Sequence, residues 1–352
     1  MTDQDLDINT AAGPVAPGPS AAGAQEPLLR IEDLRVTFDT VAGPARAVRG
    51  LSLDVFPGEA VAIVGESGSG KSVTMLATLG LLPGAQVSGS AFYRGTNLIG
   101  LAPSRLREVR GAKISMVFQD PMTSLNPVLT IGRQLDMVMH AHQPEMSKKA
   151  TRARAVDLLD QVAIAQAARR CDAYPHELSG GMRQRVMIAM AIANEPEVLI
   201  ADEPTTALDV TVQAQIMDLL ARLQRERQLS LVLITHDLGV VAGATDRIAV
   251  MYAGRIVERG AVRPVFAHPG HPYTRGLLAC LPRLDRRDDI QAAIPGIPPS
   301  PLSLPPGCPF APRCPSVVDS CTEYEPDLVA TATSSIACSV FAPAPAPAPG
   351  PR

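Results

Sequence analysis

The feature that most restricts the possible folds is a glycine-rich segment placed directly after a short apolar run. The run is AVAIV at residues 60–64, and GESGSGKS follows at residues 65–72 in the pattern G-x-x-x-x-G-K-[ST]. A continuous apolar run is typical of a buried central strand, and the residues after Lys71 have helical spacing. A strand, a glycine turn and a helix in this order predict a loop that wraps around the phosphates of a nucleotide.

The residues of this loop are predicted to bind phosphate and a magnesium ion. Lys71 would supply a positive charge to the β- and γ-phosphates, and the Ser72 hydroxyl would be a ligand of Mg²⁺. The alternative is an ordinary Gly/Ser turn with an exposed lysine, which the predicted strand and helix on either side disfavour. The predicted nucleotide-binding residues in this segment are Gly65, Ser67, Gly68, Ser69, Gly70, Lys71, Ser72 and Val73.

A second apolar run, VLIA at residues 198–201, ends in two acidic residues, Asp202 and Glu203. A carboxylate at the end of a buried strand needs a partner, and Mg²⁺ would supply one for Asp202. Glu203 is then a candidate general base for the water that attacks the terminal phosphate. The alternative is a surface acid pair at the end of a strand. Together with the glycine-rich loop, the two acids favour an ATPase or GTPase.

The segment LSGGMRQRVMIAMAIANEPEVLIADEPTTALD, at residues 178–209, resembles the ATP-binding subunits of ABC transporters. Its beginning is similar to the signature sequence of that family, and its end is similar to the D-loop, which contains Asp209. From the residues alone, the serine and glycines at the beginning are also an ordinary helix N-cap. Methionine stands at the last signature position, where the family more often has glutamine. The predicted signature residues are Ser179, Gly180, Gly181 and Met182.

Three further positions match motifs of the same family, in the family's order along the chain. Gln119 in MVFQDP resembles the Q-loop glutamine, which implies a catalytic role and a place among the Mg²⁺ ligands. His236 in LVLITHD resembles the catalytic switch histidine. Phe38 stands where the family has an aromatic residue that stacks on adenine. Without the resemblance, His236 is an ordinary loop histidine and Phe38 is a core residue.

The resemblance implies an α/β fold: a RecA-like P-loop core, an antiparallel β subdomain, and a helical subdomain that carries the signature at about residues 101–185. The ABC nucleotide-binding domain is predicted to span residues 27–262. A small C-terminal extension of the oligopeptide-transporter type, which contains four cysteines, would span residues 263–341. Residues 1–26 lack periodicity and are predicted to be disordered, and residues 342–352 are predicted to be an extended Ala/Pro tail.

The segments HPGHPYTRGLLACLPRLD and GCPFAPRC resemble the C-terminal extension of the oligopeptide, dipeptide and nickel importer ATPases. This resemblance implies a subunit that hydrolyses ATP to drive uptake of short peptides, at the cytoplasmic face of the plasma membrane. Its partners would be two membrane permease subunits, a second ABC ATPase subunit in a head-to-tail dimer, and an extracytoplasmic solute-binding protein. Nickel uptake is the alternative within transport.

A soluble ABC ATPase that acts on DNA or ribosomes is the alternative from a different class. The formal net charge of -3 and the aromatic content of 3% do not favour nucleic acid as a partner. The DNA-repair members of the family insert long coiled coils between the phosphate loop and the signature, whereas residues 73–178 contain no heptad run. The ribosomal members carry two motif sets in one chain, and this sequence carries one.

Four of the six cysteines lie near the C-terminus: Cys308, Cys314, Cys321 and Cys338. The acidic start MTDQDLDIN is unlike a secretory signal, which predicts a reducing compartment and disfavours disulfides. Four thiolates suit either Zn²⁺ or an iron–sulfur cluster, and free thiols are the third alternative. Similar peptide-importer ATPases carry a [4Fe–4S] cluster, which the resemblance implies here with these four ligands. Cys171 and Cys280 are isolated and are predicted to be buried apolar residues.

Overall fold

The structure is a computed structural model that describes residues 26–206, 208–281 and 293–341. The two tails predicted from composition lie outside these ranges, apart from residue 26. Within the described part of the chain, no helix is both long enough and apolar enough to span a membrane.

The described residues form twelve strands and twelve α-helices. The strands are β1 (Leu29–Thr40), β2 (Gly43–Val55), β3 (Ala60–Val64), β4 (Ala85–Tyr93), β5 (Thr96–Asn97), β6 (Ile114–Val117), β7 (Val198–Asp202), β8 (Ser230–Thr235), β9 (Arg247–Tyr252), β10 (Arg255–Ala261), β11 (Val329–Ala330) and β12 (Ser335–Ile336). The α-helices are α1 (Lys71–Thr78), α2 (Pro103–Val109), α3 (Pro121–Ser124), α4 (Ile131–His140), α5 (Lys148–Gln161), α6 (Ala167–Arg170), α7 (Gly180–Ile192), α8 (Val210–Arg227), α9 (Leu238–Ala244), α10 (Val262–Ala267), α11 (Pro272–Ala279) and α12 (Ser320–Glu323).

The larger of two sheets has eight strands in the order β11-β12-β10-β9-β3-β8-β7-β6. The five strands from β9 to β6 are parallel, and every residue of β3, β7 and β8 is buried. This continuous burial explains the apolar runs in the sequence, because helices cover both faces of a central parallel strand. Since the parallel strands end at the same edge of the sheet, the segments that follow them meet there.

The smaller sheet contains four antiparallel strands in the order β2-β1-β4-β5. Buried and exposed residues alternate over much of β1, as the sequence predicts for a strand with one face on the core. The buried face shares a hydrophobic cluster with Ile63 of β3 and Met75 of α1. The antiparallel sheet is therefore packed beside the start of the glycine-rich loop.

Two predictions of local structure have different outcomes. The hairpin predicted in RIAVMYAGRIVERG is confirmed, because β9 and β10 are antiparallel and turn at Ala253 and Gly254. Both turn residues have positive φ, 45° and 83°, as a tight two-residue hairpin turn requires. The prediction of a mostly helical segment at residues 101–185 holds for α2 to α7 but misses β6. Four apolar or small residues are too few for periodicity to separate a strand from a buried helix.

The C-terminal region packs on the main sheet. β12 pairs with β10, and β11 pairs with β12, so the last two strands extend that sheet. The ring of Tyr252 in β9 packs against the rings of Tyr273 in α11 and Phe310, with centroids 4.6 and 5.3 Å away. These rings belong to one hydrophobic cluster with Val64, the last residue of β3. The C-terminal region therefore shares a core with the strand that leads into the glycine-rich loop.

Glu258 of β10 is fully buried and joins several parts of the C-terminal region. Its carboxylate accepts hydrogen bonds from the backbone N–H groups of Gly270 and His271, at 2.8 and 2.9 Å. The Ser334 hydroxyl donates a third hydrogen bond at 3.2 Å. A buried carboxylate needs such donors, and all three lie in the region that follows β10.

Candidate functional site

The glycine-rich loop connects β3 to α1 at the edge where the parallel strands end. Gly70, the last residue before α1, has a φ of 100°, and a side chain there would bring its Cβ to 2.5 Å from the Ala47 carbonyl oxygen. The position requires glycine because both the backbone conformation and the available space exclude a side chain. A cavity of about 530 Å³ lies over the loop, and Gln119, Glu203, His236 and Leu277 also line it.

Seven of the eight residues predicted from the loop line this cavity, and Ser69 does not. Ser69 is buried, and its hydroxyl has no hydrogen-bond partner among the described residues. Its backbone N–H donates to the Glu66 carbonyl at 3.2 Å, and its carbonyl accepts from the Gly254 N–H at 3.0 Å. Ser69 therefore fastens the loop to the turn between β9 and β10.

Lys71 is 4% exposed, and its ammonium lies inside the loop. The Nζ donates to the carbonyl oxygens of Gly65 and Glu66 at 2.8 and 3.0 Å. Burial lowers the pKa of Lys71, and the negative charges of Glu203, Asp202 and Glu66 act in the opposite direction. A phosphate that entered the cavity would meet a preformed cation held among backbone dipoles.

Two of the predicted Mg²⁺ ligands touch each other directly. The Ser72 hydroxyl donates to Asp202 Oδ1 at 2.8 Å, which joins the first residues of α1 to the end of β7. Burial raises the pKa of Asp202, while the hydrogen bond from Ser72 lowers it. A hydroxyl and a buried carboxylate are hard oxygen donors and fit Mg²⁺, which takes one or two protein ligands alongside phosphate oxygens. Gln119, the third predicted ligand, contacts Glu203 instead.

Glu203 is the centre of a polar cluster at the mouth of the cavity. Its Oε2 accepts hydrogen bonds from Gln119 Nε2 at 3.0 Å and from the Thr206 hydroxyl at 2.9 Å, and His236 Nδ1 lies 3.4 Å away. Gln119, Glu203 and His236 follow β6, β7 and β8, three neighbouring parallel strands. The sheet thus brings together the three residues predicted to be catalytic, and Thr206 is a fourth member that the sequence did not indicate.

The predicted signature residues lie outside the cavity lining. Ser179 is the N-cap of α7, where its hydroxyl accepts from the Met182 N–H at 3.3 Å, and both Ser179 and Gly180 are exposed. Asp209 caps α8 in the same way, accepting from the Val212 N–H at 3.0 Å. A Cβ added to Gly181 would lie 2.6 Å from Val212, so α7 and α8 begin side by side.

Phe38 lies on β1, opposite Ala45 of β2 and Ala85 of β4. The side chain is half-buried and packs against the core of the antiparallel sheet. Phe38 is not among the residues that line the cavity over the loop. The structure therefore leaves the predicted adenine contact untested, since the base would extend beyond the phosphates.

Three residues around the loop are not indicated by any of the sequence motifs. Glu66 lines the cavity, and its carboxylate forms a two-point ion pair with Arg313, with N–O distances of 2.6 and 2.9 Å. The Tyr273 hydroxyl accepts a hydrogen bond from the Glu66 backbone N–H at 2.8 Å. An acidic residue inside a phosphate loop is a signal that a cation should be sought, but Arg313 lies 247 positions away in the chain.

The four C-terminal cysteines lie in one small region without disulfide bonds. The Cys308 N–H donates to the Cys321 carbonyl at 2.8 Å. Burial, together with the nearby Cys321 and Cys338 thiols, raises the pKa of the Cys308 thiol to about 11. Within the described ranges, however, no group of three or more His, Cys, Asp or Glu side chains is arranged to hold a metal ion. The predicted cluster is therefore not confirmed, and no catalytic step depends on it.

The two remaining cysteines lie apart from that region. Cys171 is fully buried and packs in the helical part of the core, as predicted for a small apolar residue. Cys280 follows α11 and is half-buried, so the prediction of a buried residue is wrong at this position.

Two family models match the chain. The model "ABC transporter" matches residues 48–206, which include the glycine-rich loop, Gln119, the signature and Glu203. The model "Oligopeptide/dipeptide transporter, C-terminal region" matches residues 257–321. The two matches together cover both sides of the ion pair between Glu66 and Arg313.

Several curated relatives are similar over most of this chain. The "Oligopeptide transport ATP-binding protein OppD" of Mycobacterium tuberculosis is 55% identical over 89% of this chain, which spans 52% of that relative. The chain thus spans about half the length of the mycobacterial relatives it matches. The "Dipeptide transport ATP-binding protein DppD" of Bacillus subtilis is 51% identical over 86% of this chain and 90% of the relative. The "Oligopeptide transport ATP-binding protein OppD" of Escherichia coli is 51% identical over 91% of this chain and 93% of the relative.

Solved structures are similar to the nucleotide-binding part. The ATP-binding cassette MJ0796, solved as a dimer in a post-hydrolysis state with ADP and Pi, is 30% identical with a TM-score of 0.61. The similarity covers 67% of this chain and 99% of that one. CbiO1 of Clostridium perfringens, part of an ABC transporter complex, is also 30% identical, with a TM-score of 0.58. That similarity covers 69% of this chain and 92% of CbiO1.

Proposed function

Because the chain belongs to the ABC transporter family of ATP-binding proteins, we propose that it hydrolyses ATP to energise the import of short peptides. The observation that carries this proposal is the meeting of Gln119, Glu203 and His236 beside the phosphate loop. The C-terminal match and the relatives named for oligopeptide and dipeptide transport support peptides over nickel. An ATPase that acts on DNA or ribosomes has no comparable support.

The contacts around the cavity suggest a role for each predicted residue. The loop N–H groups and Lys71 bind the β- and γ-phosphates, with Mg²⁺ held by the hydroxyl of Ser72 and the carboxylate of Asp202. When bound, Mg²⁺ neutralises charge on the phosphate oxygens. Glu203 accepts a proton from the attacking water. The oxygen of that water forms a bond to the γ-phosphorus, while the bond between the γ-phosphorus and the β-phosphate oxygen breaks and ADP leaves. Gln119 and His236 hold the Glu203 carboxylate in position.

The chain contains one set of motifs, so a complete hydrolytic site requires a second ATPase subunit. Ser179 and Gly180 are exposed at the N-terminus of the thirteen-residue helix α7, where N–H groups and the helix dipole favour an anion. We infer a head-to-tail dimer in which these residues approach the γ-phosphate bound by the other subunit. The dimeric state of the similar cassette MJ0796 supports this arrangement.

Replacement of Ser179 by Asp tests the dimer geometry. Asp keeps the N-cap of α7 but adds a negative charge opposite the partner's γ-phosphate. We expect hydrolysis by the assembled complex to fall by about tenfold or more, because like charges would meet at short distance. ATP affinity of the isolated subunit should stay at the wild-type value, as measured by titration calorimetry. Ser179→Asn, which caps without charge, is the matched control. A large loss of affinity in the isolated Ser179→Asp subunit would contradict the geometry.

An apolar groove beside the catalytic cluster is suited to a membrane permease subunit. The groove has a volume of about 390 Å³, and its lining includes Phe118, Leu125, Met187 and Met190. Phe118 is 42% exposed and directly precedes Gln119, so a segment seated here would lie next to the catalytic residues. We propose two permease subunits, an extracytoplasmic solute-binding protein, and a peripheral position of this chain at the cytoplasmic face of the plasma membrane.

The proposed function is tested with the permeases and solute-binding protein in proteoliposomes. We expect ATP-dependent uptake of labelled di- to pentapeptides, together with hydrolysis that the peptide-loaded binding protein stimulates. Uptake of Ni²⁺ without peptide uptake would replace the proposal with nickel import. Hydrolysis stimulated by DNA or ribosomes, and not by the permeases, would reject a transport function.

The division of the chain at residue 262 is also a proposal. In it, residues 27–262 carry the ATPase motifs and residues 263–341 form the transporter-specific extension. This boundary separates the two proposed functions along the sequence. It does not separate two structural units, because β12 of the extension pairs with β10 of the ATPase part in one sheet.

We propose a [4Fe–4S] cluster at Cys308, Cys314, Cys321 and Cys338, with Zn²⁺ as the alternative. The closeness of these thiols in one partly buried region supports the proposal. Protein purified without oxygen should be brown, absorb broadly near ~400 nm and hold about four irons per chain. Serine variants of the four should lose the iron, and Cys280→Ser should keep it. A colourless protein, with stoichiometric zinc or no metal, would contradict the cluster.

A further inference from the structure

We propose that Arg313 is a positioning residue of the phosphate loop: it neutralises Glu66 and keeps that carboxylate away from the bound triphosphate. This inference deepens the proposed ATPase function and rests on it. Arg313 belongs to the C-terminal region, whereas Glu66 belongs to the loop itself. The proposal therefore assigns the C-terminal region a direct part in nucleotide binding.

The guanidinium of Arg313 is fully used. Two of its N–H groups donate to the Glu66 carboxylate at 2.6 and 2.9 Å. The other three donate to the Pro295 carbonyl at 2.9 Å, the Ile294 carbonyl at 3.3 Å and the Tyr252 hydroxyl at 3.3 Å. An arginine has five such donors in a rigid planar fork. Because all five have partners and the residue is 7% exposed, the position of the guanidinium is closely fixed.

The loop is also held through its backbone at the same residue. The Glu66 N–H donates to the hydroxyl of Tyr273, which is fully buried. The rings of Tyr252, Tyr273 and Phe310 pack together with centroids 4.6 to 5.4 Å apart. Phe310 lies three residues before Arg313, so the same packed unit carries both contacts to Glu66. Nucleotide-site residues are most effective when packing fixes them in this way.

The charge on Glu66 explains why the loop needs this support. Glu66 lines the phosphate cavity, and its negative charge reaches the ammonium of Lys71. Without a cation, this carboxylate would repel the triphosphate and compete for Lys71. Arg313 binds the carboxylate at two points and leaves Lys71 to the phosphates. If the ion pair only stabilised the fold, loss of Arg313 would not lower the affinity for nucleotide through the charge of Glu66.

The test compares Arg313→Gln, Glu66→Gln and the double variant in the full-length protein. Affinity for Mg²⁺ and a non-hydrolysable ATP analogue is measured by calorimetry, and folding by thermal unfolding. We expect Arg313→Gln to raise Kd by about tenfold or more, because a half-buried carboxylate loses its partner beside the phosphates. The double variant should recover to within about threefold of wild type, since the repelling charge is gone. A double variant that binds as weakly as Arg313→Gln would overturn the proposal.

Two further variants separate this role from general stability. Glu325 of the C-terminal region forms another two-point ion pair, with Arg49 of β2 in the antiparallel sheet, at 2.7 Å. Glu325→Gln removes this pair and should leave Kd unchanged. If Arg313→Gln does not fold, Arg313→Lys keeps the charge without the fork, and Kd should rise less than about threefold. A tenfold loss in Arg313→Lys that Glu66→Gln does not reverse would also overturn the proposal. Because the analogue is not hydrolysed, failure of the wild-type protein to hydrolyse ATP would count against the proposed function alone.

Discussion

Replacement of Glu203 by Gln should lower ATP hydrolysis by the proposed transporter complex by about 10²–10⁴-fold, the usual contribution of a general base. Glutamine keeps the size of the side chain but cannot accept the proton of the attacking water. Gln119, Thr206 and His236 all contact the carboxylate of Glu203, so the water has one well-oriented base in this cluster. ATP binding should persist, and the subunits should accumulate as an ATP-bound dimer detectable by size-exclusion chromatography with light scattering.

Glu226→Gln is the matched control, because it makes the same change on the exposed surface of α8, where the residue forms an ion pair with Arg222. This control should hydrolyse ATP at the wild-type rate. Turnover within about twofold of wild type in Glu203→Gln would exclude Glu203 as the general base. Glutamine cannot accept the proton of the attacking water, so hydrolysis would then proceed without proton transfer to this residue.

Replacement of Lys71 by Ala should weaken ATP binding by about tenfold to a hundredfold, the range for a hydrogen bond to a charged group. Turnover should fall by about 10²–10³-fold, because a preformed charge that stabilises the transition state is lost. The ammonium is already held at the carbonyls of Gly65 and Glu66, so little rearrangement is needed when phosphate arrives. Nucleotide titration and steady-state hydrolysis measure the two effects separately.

Lys149→Ala, an exposed change on α5, controls for the loss of a positive charge and should alter neither quantity. Wild-type affinity and turnover in Lys71→Ala would mean that the glycine-rich loop is not the phosphate site. Such a result would also remove the basis for assigning Ser72 and Asp202 to Mg²⁺.

The parts of the site that could be predicted from the sequence are those whose residues lie in short contiguous motifs. The strand, loop and helix around Lys71 follow from local rules on apolar runs and glycine, and Asp202 follows from the apolar strand before it. β6 was missed because four residues carry too little periodicity. Arg313 and Tyr273 were missed because their contacts with Glu66 depend on packing between distant segments, which no local pattern records.

The buried carboxylate of Glu258 limits how the protein can be dissected. A chain shortened after β10 would lose the N–H groups of Gly270 and His271 and the hydroxyl of Ser334, which solvate that charge. It would also uncover the edge of β10 at Glu258 and Arg259, where β12 now pairs, and unpaired strand edges favour aggregation. Minimal ATPase fragments are thus poor reagents here. Chimeras that exchange C-terminal regions between related ATP-binding subunits should take β10, Glu66 and Arg313 from the same parent, so that both sets of contacts stay matched.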